Sequence, residues 1–557
     1  MRASPALLLA SLLAVACAPS RPVPSRPLPP GLHGGGERGP GPGSAGQPRA
    51  PSGAPRGDSL PWQDFGKPAF DRARKEGRFV LLDGAAEWCH WCHVMEATTY
   101  HDDRVRALLA SRFVATKVDI DARPDIAERY ADYGWPATVL FSPEGEELGA
   151  FRGYLPPDRL LAVLEELVAG GAKNAAAASR IAVPREGSGA LTDGELASLE
   201  ATMEARLAGF YDPREGGWGT FQKAPLGWNN AHLLRQAQRG NGDARARALF
   251  TLEKQAALLD PVWGGIYQYS EGATWQTPHF EKLMTFQAPA LENYAEAWAL
   301  TRDRRHLERA EALFSYMEGF LRAGGVFGAT QDADLNAHEP GKPYMTGHEY
   351  YALGDRERRA LGVPRVDAHD YPRENGLGIA AYVTFHEATG DARALAGARE
   401  AAARVIATHA NASGGLSHDA RKDAPVVFLA DNAVFGFGLL RLHSITKDPA
   451  LLEAAEGIAS RLLKDLWDPA HGGFYAQSRD PDAVGVFQRR RMPLDENAWA
   501  VRFFARLARL TGNARYTTAL AWTLRAVMTP ENIEDRGRML GEVLLALGDA
   551  RGVRAAP

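Results

Sequence analysis

The alternation of apolar and polar positions divides the chain into two regions. From Trp62 to about Val168, short apolar runs typical of strands alternate with amphipathic stretches typical of helices. The predicted strands are FVLLD (79–83), FVATKVD (113–119), ATVLF (137–141) and ELGAF (147–151). The predicted helices are one from the CHWC run through 105–109, PDIAERYAD (124–132) and PDRLLAVLEELV (157–168). This order predicts a compact α/β domain at 61–170.

After a linker at 171–190, the region 191–549 has helical periodicity and a recurring turn with paired glycines. Its copies are FYDPREGGWG (210–219), LLDPVWGGIYQ (258–268), AGGVFGA (323–329), ASGGLSH (412–418) and LWDPAHGGFYA (466–476). Most neighbouring copies lie roughly fifty to sixty-five residues apart, enough for two helices and a connection. We therefore predict about six helical hairpins that close into an all-α (α/α)6 toroid, with an open α-solenoid as the alternative.

The N-terminus resembles a lipoprotein signal. Residues 1–16 carry one early arginine and a short apolar run, which ends in LAVAC at Cys17 like a bacterial lipobox. This resemblance implies an acylated Cys17, with a plain secretory signal as the alternative. Pro, Gly, Ser and Arg dominate 17–60, so we predict a disordered tether. We expect extracytoplasmic attachment to a bacterial membrane, and Ala18 favours the outer membrane.

Composition narrows the class of partner. The 557 residues carry a formal net charge of -4, which offers no basic face for nucleic acid. Of the three cysteines, Cys17 is the predicted acylation site, which leaves Cys89 and Cys92 to pair with each other. A lone cysteine pair in an exported protein is expected to be oxidised or catalytic.

The C-x-x-C-H run at 89–93 has more than one meaning. It fits a redox dithiol, a c-type haem attachment site or half of a zinc site. Here it follows a strand inside an α/β pattern, and no second cysteine pair is present, so the dithiol is favoured. The surrounding residues Asp83, Trp88 and Trp135-Pro136 resemble thioredoxin, in which the proline is cis.

The resemblance to thioredoxin and the chemistry together assign roles. A strand delivers Cys89 to the exposed N-terminus of a helix, where free N–H groups stabilise its thiolate. Cys89 is then the attacking thiolate and Cys92 the resolving one. Asp83 is the buried carboxylate that accepts a proton from Cys92, or else only a hydrogen-bonded core acid.

Four neighbouring residues support the predicted redox site: Trp88, His90, Trp91 and Pro136. His90 and Trp91 replace the Gly-Pro of thioredoxin, and a protonated His90 would lower the pKa of Cys89. His93 follows the pair and is either part of the site or a solvated helix residue.

Together the two regions resemble the thioredoxin-domain family of bacterial YyaL proteins and eukaryotic spermatogenesis-associated protein 20. The resemblance covers about residues 61 to 548. It rests on CHWCHVME (89–96), RPDI (123–126), GWP (134–136), Trp275 with PHFEK (278–282), and QDAD (331–334) with Gly341-Lys342. It implies a thioredoxin-like domain followed by a six-hairpin toroid of the kind shared with sugar epimerases and glycosidases.

Side chains in the loops of one toroid rim converge on a central funnel, which makes them candidates for a pocket. The candidates are Trp228, His279, Glu281, Asp332 and Asp334. Trp228 would stack on a sugar, His279 or Glu281 would act as acid or base, and the aspartates would accept hydrogen bonds from hydroxyls. Alternatively, the aspartates cap a helix or hold a turn, and Glu281 pairs with Lys282 or an arginine.

Three functions remain open from the sequence. The first is an extracytoplasmic thiol–disulfide oxidoreductase whose toroid recognises a protein substrate, and which exchanges electrons with a redox partner. The second is a carbohydrate-binding or carbohydrate-modifying toroid with an ancillary dithiol. The third is a scaffold without turnover. We expect no cofactor and no metal.

Overall fold

A computed structural model of the chain describes residues 60–171, 189–339, 341–421 and 423–553. The predicted signal, Cys17, all but the last residue of the tether and most of the linker lie outside the described residues. No helix among those described is long and apolar enough to cross a membrane.

The N-terminal domain is built on one mixed five-stranded sheet. Its strands are β1 (Gln63–Asp64), β2 (Phe79–Ala85), β3 (Phe113–Asp119), β4 (Ala137–Phe141) and β5 (Glu147–Arg152). Their order is β1-β3-β2-β4-β5; β2 pairs parallel with β3 and antiparallel with β4. The helices are α1 (Lys67–Glu76), α2 (His90–Thr98), α3 (Asp103–Arg112), α4 (Pro124–Tyr130) and α5 (Pro157–Glu166). Apolar cores lie on both faces of this sheet.

The helix predicted to run from the CHWC motif through 105–109 is in fact two helices. Between α2 and α3, Asp102 adopts an extended backbone, and its carboxylate accepts hydrogen bonds from the Arg104 and Val105 N–H groups. This N-cap satisfies free N–H donors at the start of a new helix, so α3 begins as a separate helix. The prediction missed the cap because the apolar spacing continues across it.

The second domain is all-helical apart from short strands in its loops. Its helices are α6 (Asp193–Phe210), α7 (Gly227–Gln238), α8 (Gly242–Gln255), α9 (Met284–Thr301), α10 (Arg304–Tyr316), α11 (Gly347–Tyr351), α12 (Asp355–Leu361), α13 (Pro372–Thr389), α14 (Ala392–His409), α15 (Leu429–Thr446), α16 (Pro449–Asp465), α17 (Leu494–Thr511), α18 (Ala514–Val527), α19 (Pro530–Asp535) and α20 (Gly541–Ala550). The loop strands are β6 (Tyr269–Ser270), β7 (Pro278–His279), β8 (Lys282–Leu283), β9 (Arg322–Ala323), β10 (Val326–Phe327), β11 (Thr330–Gln331) and β12 (Val366–Asp367).

Six inner helices form a closed ring. Helix α7 packs on α9, α9 on α13, α13 on α15, α15 on α17, α17 on α20, and α20 again on α7. Outer helices α8, α10, α14, α16 and α18 each pack against the inner helix that precedes them, and α6 packs against α20. The ring confirms the predicted (α/α)6 toroid and excludes the open solenoid.

The recurring turn has a backbone reason. In all five copies both paired glycines have positive φ, for example 74° at Gly264 and 77° at Gly265. A Cβ added at Gly264 would lie 2.3 Å from the Ala312 carbonyl oxygen, so only glycine fits this tight turn. These turns fix the rim loops on which the candidate residues lie.

Candidate functional site

Strand β2 and helix α2 place the cysteine pair. Cys89 is the N-cap of α2, its sulfur accepts a hydrogen bond from the Cys92 N–H at 3.2 Å, and the two residues form a disulfide with Cα atoms 5.3 Å apart. The Trp135–Pro136 peptide bond is cis. A cysteine at a helix N-terminus is where backbone N–H groups stabilise a thiolate.

Asp83 lies on β2 and is buried. Burial raises its pKa to about 6, although the Lys117 ammonium 3.8 Å away acts in the opposite direction. A carboxyl that titrates near neutrality is suited to exchange a proton with a thiol. The Lys117 ammonium donates a hydrogen bond to Glu96 at 2.6 Å, so this cation has two carboxylate neighbours.

The toroid covers the cysteine pair. Cys89 and Cys92 have only 4% and 6% of their surface accessible to solvent, whereas the sequence predicted an exposed Cys89. Leu283, which ends β8 of the toroid, belongs to the same buried apolar cluster, and Phe286 packs against it. The motif PHFEK and the residues after it therefore form part of the cover over the disulfide.

Asp334 of the toroid binds both histidines of the redox helix. Its Oδ2 lies 2.8 Å from His90 Nδ1, 3.1 Å from His93 Nδ1 and 2.9 Å from the Tyr344 hydroxyl, while Oδ1 accepts the Gly347 N–H. Burial raises the pKa of Asp334, but the hydrogen bonds and charges of His90 and His93 outweigh it and hold the pKa well below its ordinary range.

The same contacts raise the pKa of both histidines. Burial lowers the pKa of His90, but the Asp334 carboxylate outweighs it and the net shift is upward. For His93, burial is outweighed by Asp332 and Asp334, and the pKa rises to about 9. The side chain of His93 is 9% exposed, so it is not a solvated helix residue.

Glu281 lies at the N-terminus of the redox helix. Its Oε1 accepts a hydrogen bond from the His90 N–H at 3.4 Å, and its Oε2 is buried without a hydrogen-bond partner. Burial raises its pKa, with His279 acting against that shift. Glu281 does not pair with Lys282, whose ammonium instead donates to the buried Asp260 at 2.8 Å.

The remaining supports of the redox motif are also tied in place. The Trp88 indole N–H donates to Asp121 at 2.6 Å, and Trp91 stacks on Tyr154 with ring centroids 5.7 Å apart. His418 of the toroid bonds to the Asp121 carbonyl oxygen at 2.8 Å. The loops that carry Asp121 and Tyr154 thus both contact the redox motif, and the toroid also contacts the Asp121 loop.

The five toroid candidates do not form one sugar pocket. Asp334 and Glu281 contact the redox helix, and Asp332 lies beside His93, with 3.8 Å between Oδ2 and Nε2. His279 stacks on Tyr269 and bonds to Glu271. Trp228 instead packs edge to face on Trp499 at 5.0 Å. Asp332 also holds a turn as the alternative expected, because its Oδ1 accepts the Asp334 N–H.

Sequence reasoning missed a charged group on one toroid rim. Arg373, Glu374, Asp495, Glu496 and Glu542 all lie in the first turn of an inner helix. The carboxylates raise the pKa of Arg373 against the effect of burial, yet 49% of its side chain is exposed. Burial and neighbouring acids raise the pKa of Glu496 well above its usual range. The sequence feature that could have revealed this group is the charged first turn shared by inner helices α13, α17 and α20.

Comparison with known proteins matches both halves of the chain. Residues 56–168 match the Thioredox_DsbH family, described as "Protein of unknown function, DUF255". Spermatogenesis-associated protein 20 of Homo sapiens is 30% identical over 312 residues, which cover 49% of this chain and 39% of that protein. The chain thus matches only about two fifths of the length of that curated relative.

Two further similarities differ in how much of the chain they cover. Thiol:disulfide interchange protein DsbD 1 of Pseudomonas aeruginosa is 35% identical over 100 residues, covering 16% of this chain and 17% of that protein. A sugar epimerase from a ruminal bacterium shares the fold with a TM-score of 0.50 at 13% identity, covering 65% of this chain and 99% of that one. The resemblance predicted from the sequence is confirmed: the chain carries a DsbH-type thioredoxin-like domain, is similar to spermatogenesis-associated protein 20, and has its second domain folded as a helical toroid.

Proposed function

We propose that this protein is a thiol–disulfide oxidoreductase, anchored by lipid on the periplasmic side of a bacterial membrane, in which the toroid controls access to the cysteine pair. The observation that carries the proposal is the Cys89–Cys92 disulfide at the N-terminus of α2, in a thioredoxin-like domain with a cis Pro136. The similarity to thiol:disulfide interchange proteins supports the same reaction class.

The reaction follows from the positions of the two sulfurs. In the reducing direction, the Cys89 thiolate attacks a substrate disulfide, and one substrate sulfur leaves as a thiolate. Cys92, deprotonated by the Asp83 carboxylate, then attacks Cys89 of the mixed disulfide. The second substrate thiolate leaves and Cys89–Cys92 becomes oxidised, so two electrons pass to the substrate. The reverse sequence oxidises a dithiol.

Burial of Cys89 limits which substrates reach it. At 4% exposure the sulfur is accessible to a protein substrate only when the toroid segment around Leu283 moves away from α2. The toroid therefore acts as a selective cover, and we assign substrate recognition to it.

Trapping a mixed disulfide tests the reaction. Cys92→Ala is expected to accumulate a covalent complex with substrate, because no second thiol releases it, whereas Cys89→Ala accumulates none. Equal trapping by both variants, or visible absorption bands of a c-type haem, would refute the proposal. The reduction potential then gives the direction: about -270 mV indicates a reductase and about -120 mV an oxidase.

Membrane attachment is tested separately through Cys17. Radioactive fatty acid is expected to label the wild type and Cys92→Ala equally but to leave Cys17→Ala unlabelled. Labelling of Cys17→Ala at the wild-type level would remove the anchor from the proposal and leave the redox chemistry untouched.

Carbohydrate binding is the second candidate, and it is supported by the charged rim described above. Trp228, at the start of α7, is half-buried against Trp499 and offers an aromatic surface near the first turns of the inner helices. A panel of mono- and oligosaccharides in a thermal-shift assay tests it. The expected result is stabilisation by one sugar class that Trp228→Ala loses; no shift across the panel would eliminate this candidate.

A further inference from the structure

Four potential metal-ligand atoms converge where the redox helix meets the toroid. His93 Nε2 lies 3.2 Å from His338 Nε2, and both nitrogens lie near the carbonyl oxygen of Glu87, at 2.9 and 2.6 Å. Asp332 Oδ2 lies 3.8 Å from the first nitrogen and 3.5 Å from the second. Two of these atoms belong to the thioredoxin-like domain and two to the toroid loop after β11.

Hydrogen bonding alone does not satisfy this arrangement. Asp334 occupies His93 Nδ1, and Glu87 contributes a carbonyl oxygen that only accepts. To donate to that oxygen, both Nε2 atoms would need a proton, and the two N–H groups would then face each other across 3.2 Å. Asp332 Oδ2 is buried and has no hydrogen-bond partner among the described residues.

A single cation at the centre satisfies all four atoms. In a tetrahedral site with ligands about 2.0–2.1 Å from the metal, neighbouring ligand atoms are about 3.3 Å apart. The observed separations of 2.6 to 3.8 Å between these atoms bracket that value. The Asp334 carboxylate on His93 Nδ1 matches the carboxylate that commonly orients a metal-bound imidazole.

We propose that His93, His338, Asp332 and the Glu87 carbonyl oxygen bind one divalent transition-metal ion, with Zn²⁺ as the ion whose ligand preferences they fit. Two imidazoles with two oxygens suit zinc better than calcium or magnesium, which prefer all-oxygen sites. The site goes beyond the proposed redox reaction and does not depend on it.

The metal would join the two domains beside the cysteine pair. His93 directly follows Cys92 on α2, while Asp332 and His338 belong to the toroid segment whose Ala333 N–H donates to the Trp88 carbonyl oxygen at 3.4 Å. An ion held by both sides resists the separation that exposes Cys89. No metal was expected from the sequence, because no second cysteine pair accompanies the C-x-x-C run. His93 and His338 lie 245 residues apart in the chain, so no local spacing links them.

Zinc binding is tested on the full chain with Cys89 and Cys92 both changed to serine, so that thiolates cannot hold the ion. After chelator treatment and dialysis against Zn²⁺ alone, we expect about one zinc per chain by elemental analysis, and a rise in Tm on adding the metal. His338→Ala is the informative variant, since this exposed side chain is not needed for packing. It is expected to weaken zinc binding by about 100-fold or more.

The control is His369→Ala, which removes an exposed histidine also paired with a carboxylate, that of Asp367. It is expected to bind zinc like the parent protein. Asp332→Asn gives a second, nearly isosteric readout and should weaken binding as His338→Ala does. Zinc binding below about one-tenth of an equivalent in the parent, or equal binding by the parent and His338→Ala, would overturn the proposal and leave a proton as the cation of this cluster.

Discussion

Two of the places at which the toroid contacts the thioredoxin-like domain differ in chemistry. At one, Phe487 of a toroid loop inserts into the core beneath the sheet, with ring centroids 5.3 Å from Phe65 and 6.0 Å from Phe141. At the other, Asp334 and Glu281 contact the redox helix through polar and ionisable groups. Apolar burial is non-directional and involves no titrating group, whereas the ionisable groups of the polar contact respond to pH.

This difference in chemistry gives the two contacts different roles: one attaches the domains to each other, and the other influences the reactivity of the cysteines. The Phe487 contact keeps the domains together whatever happens at the cysteines, and it is reinforced by the Val486 N–H, which donates to the Gly145 carbonyl oxygen at 3.1 Å. The redox contact places ionisable groups against the redox helix, in addition to the apolar Leu283 that packs beside the cysteines. We therefore expect substitutions at the first place to change stability, and those at the second to change both stability and thiol reactivity.

The largest expected effect is that of Phe487→Ala. Removal of this ring leaves a cavity between the two domains, and the free energy of unfolding should fall by about 3–5 kcal/mol. Denaturant unfolding measures it. Phe221→Ala, which truncates a ring that is 86% exposed, is the matched control and should change stability by less than about 0.5 kcal/mol. Equal effects of the two substitutions would mean that Phe487 is not a core residue.

Asp334→Asn should have the next largest effect. It removes the buried negative charge that faces His90 and His93 while keeping the shape of the side chain, and we expect a loss of about 3 kcal/mol. Unlike Phe487→Ala, it should also change the rate at which Cys89 of the reduced protein is alkylated. Asp158→Asn, an exposed partner of Arg104, should change neither quantity. Alkylation at the wild-type rate in Asp334→Asn would show that the redox contact does not influence the thiol.

Leu283→Ala tests the cover itself. Truncation of this buried side chain should cost about 2–3 kcal/mol and open a path to Cys89. The alkylation rate of the reduced protein is expected to increase several-fold, while Leu361→Ala, on an exposed residue, leaves it unchanged. Unchanged reactivity in Leu283→Ala would show that another part of the toroid covers the sulfur.

The two contacts also show what the sequence makes predictable. Strands β3 and β4 were predicted at their observed bounds, and the closed toroid followed from the glycine-pair repeat, because local periodicity and turn chemistry determine such elements. The cis Pro136 and the Cys89–Cys92 pair followed from the resemblance to thioredoxin.

The features that could not be predicted are contacts between residues far apart in the sequence. His338 meets His93, and Phe487 meets Phe65, only because the toroid folds back onto the thioredoxin-like domain, and no local pattern encodes that approach. PHFEK and QDAD were identified as site motifs, but Asp334 and Glu281 of those motifs contact the redox helix rather than a separate funnel.

The smallest expected effect is at Asp83, within the redox domain itself. Burial raises its pKa from 3.8 in the unfolded chain to about 6 when folded. Between about pH 4 and 6 the folded protein therefore holds a proton that the unfolded chain releases, so wild-type stability falls as pH rises through that window.

Asp83→Asn lacks this penalty. Because Lys117 keeps Glu96 as a partner, we expect the variant to be more stable by about 1–2 kcal/mol at pH 7 and by almost nothing at pH 4. Its disulfide should also form more slowly from the mixed disulfide, since Cys92 loses its proton acceptor. Denaturant unfolding at both pH values, with the exposed Asp158→Asn as control, checks the first expectation. A gain in stability that is equal at pH 4 and pH 7 would show that Asp83 is not the titrating group.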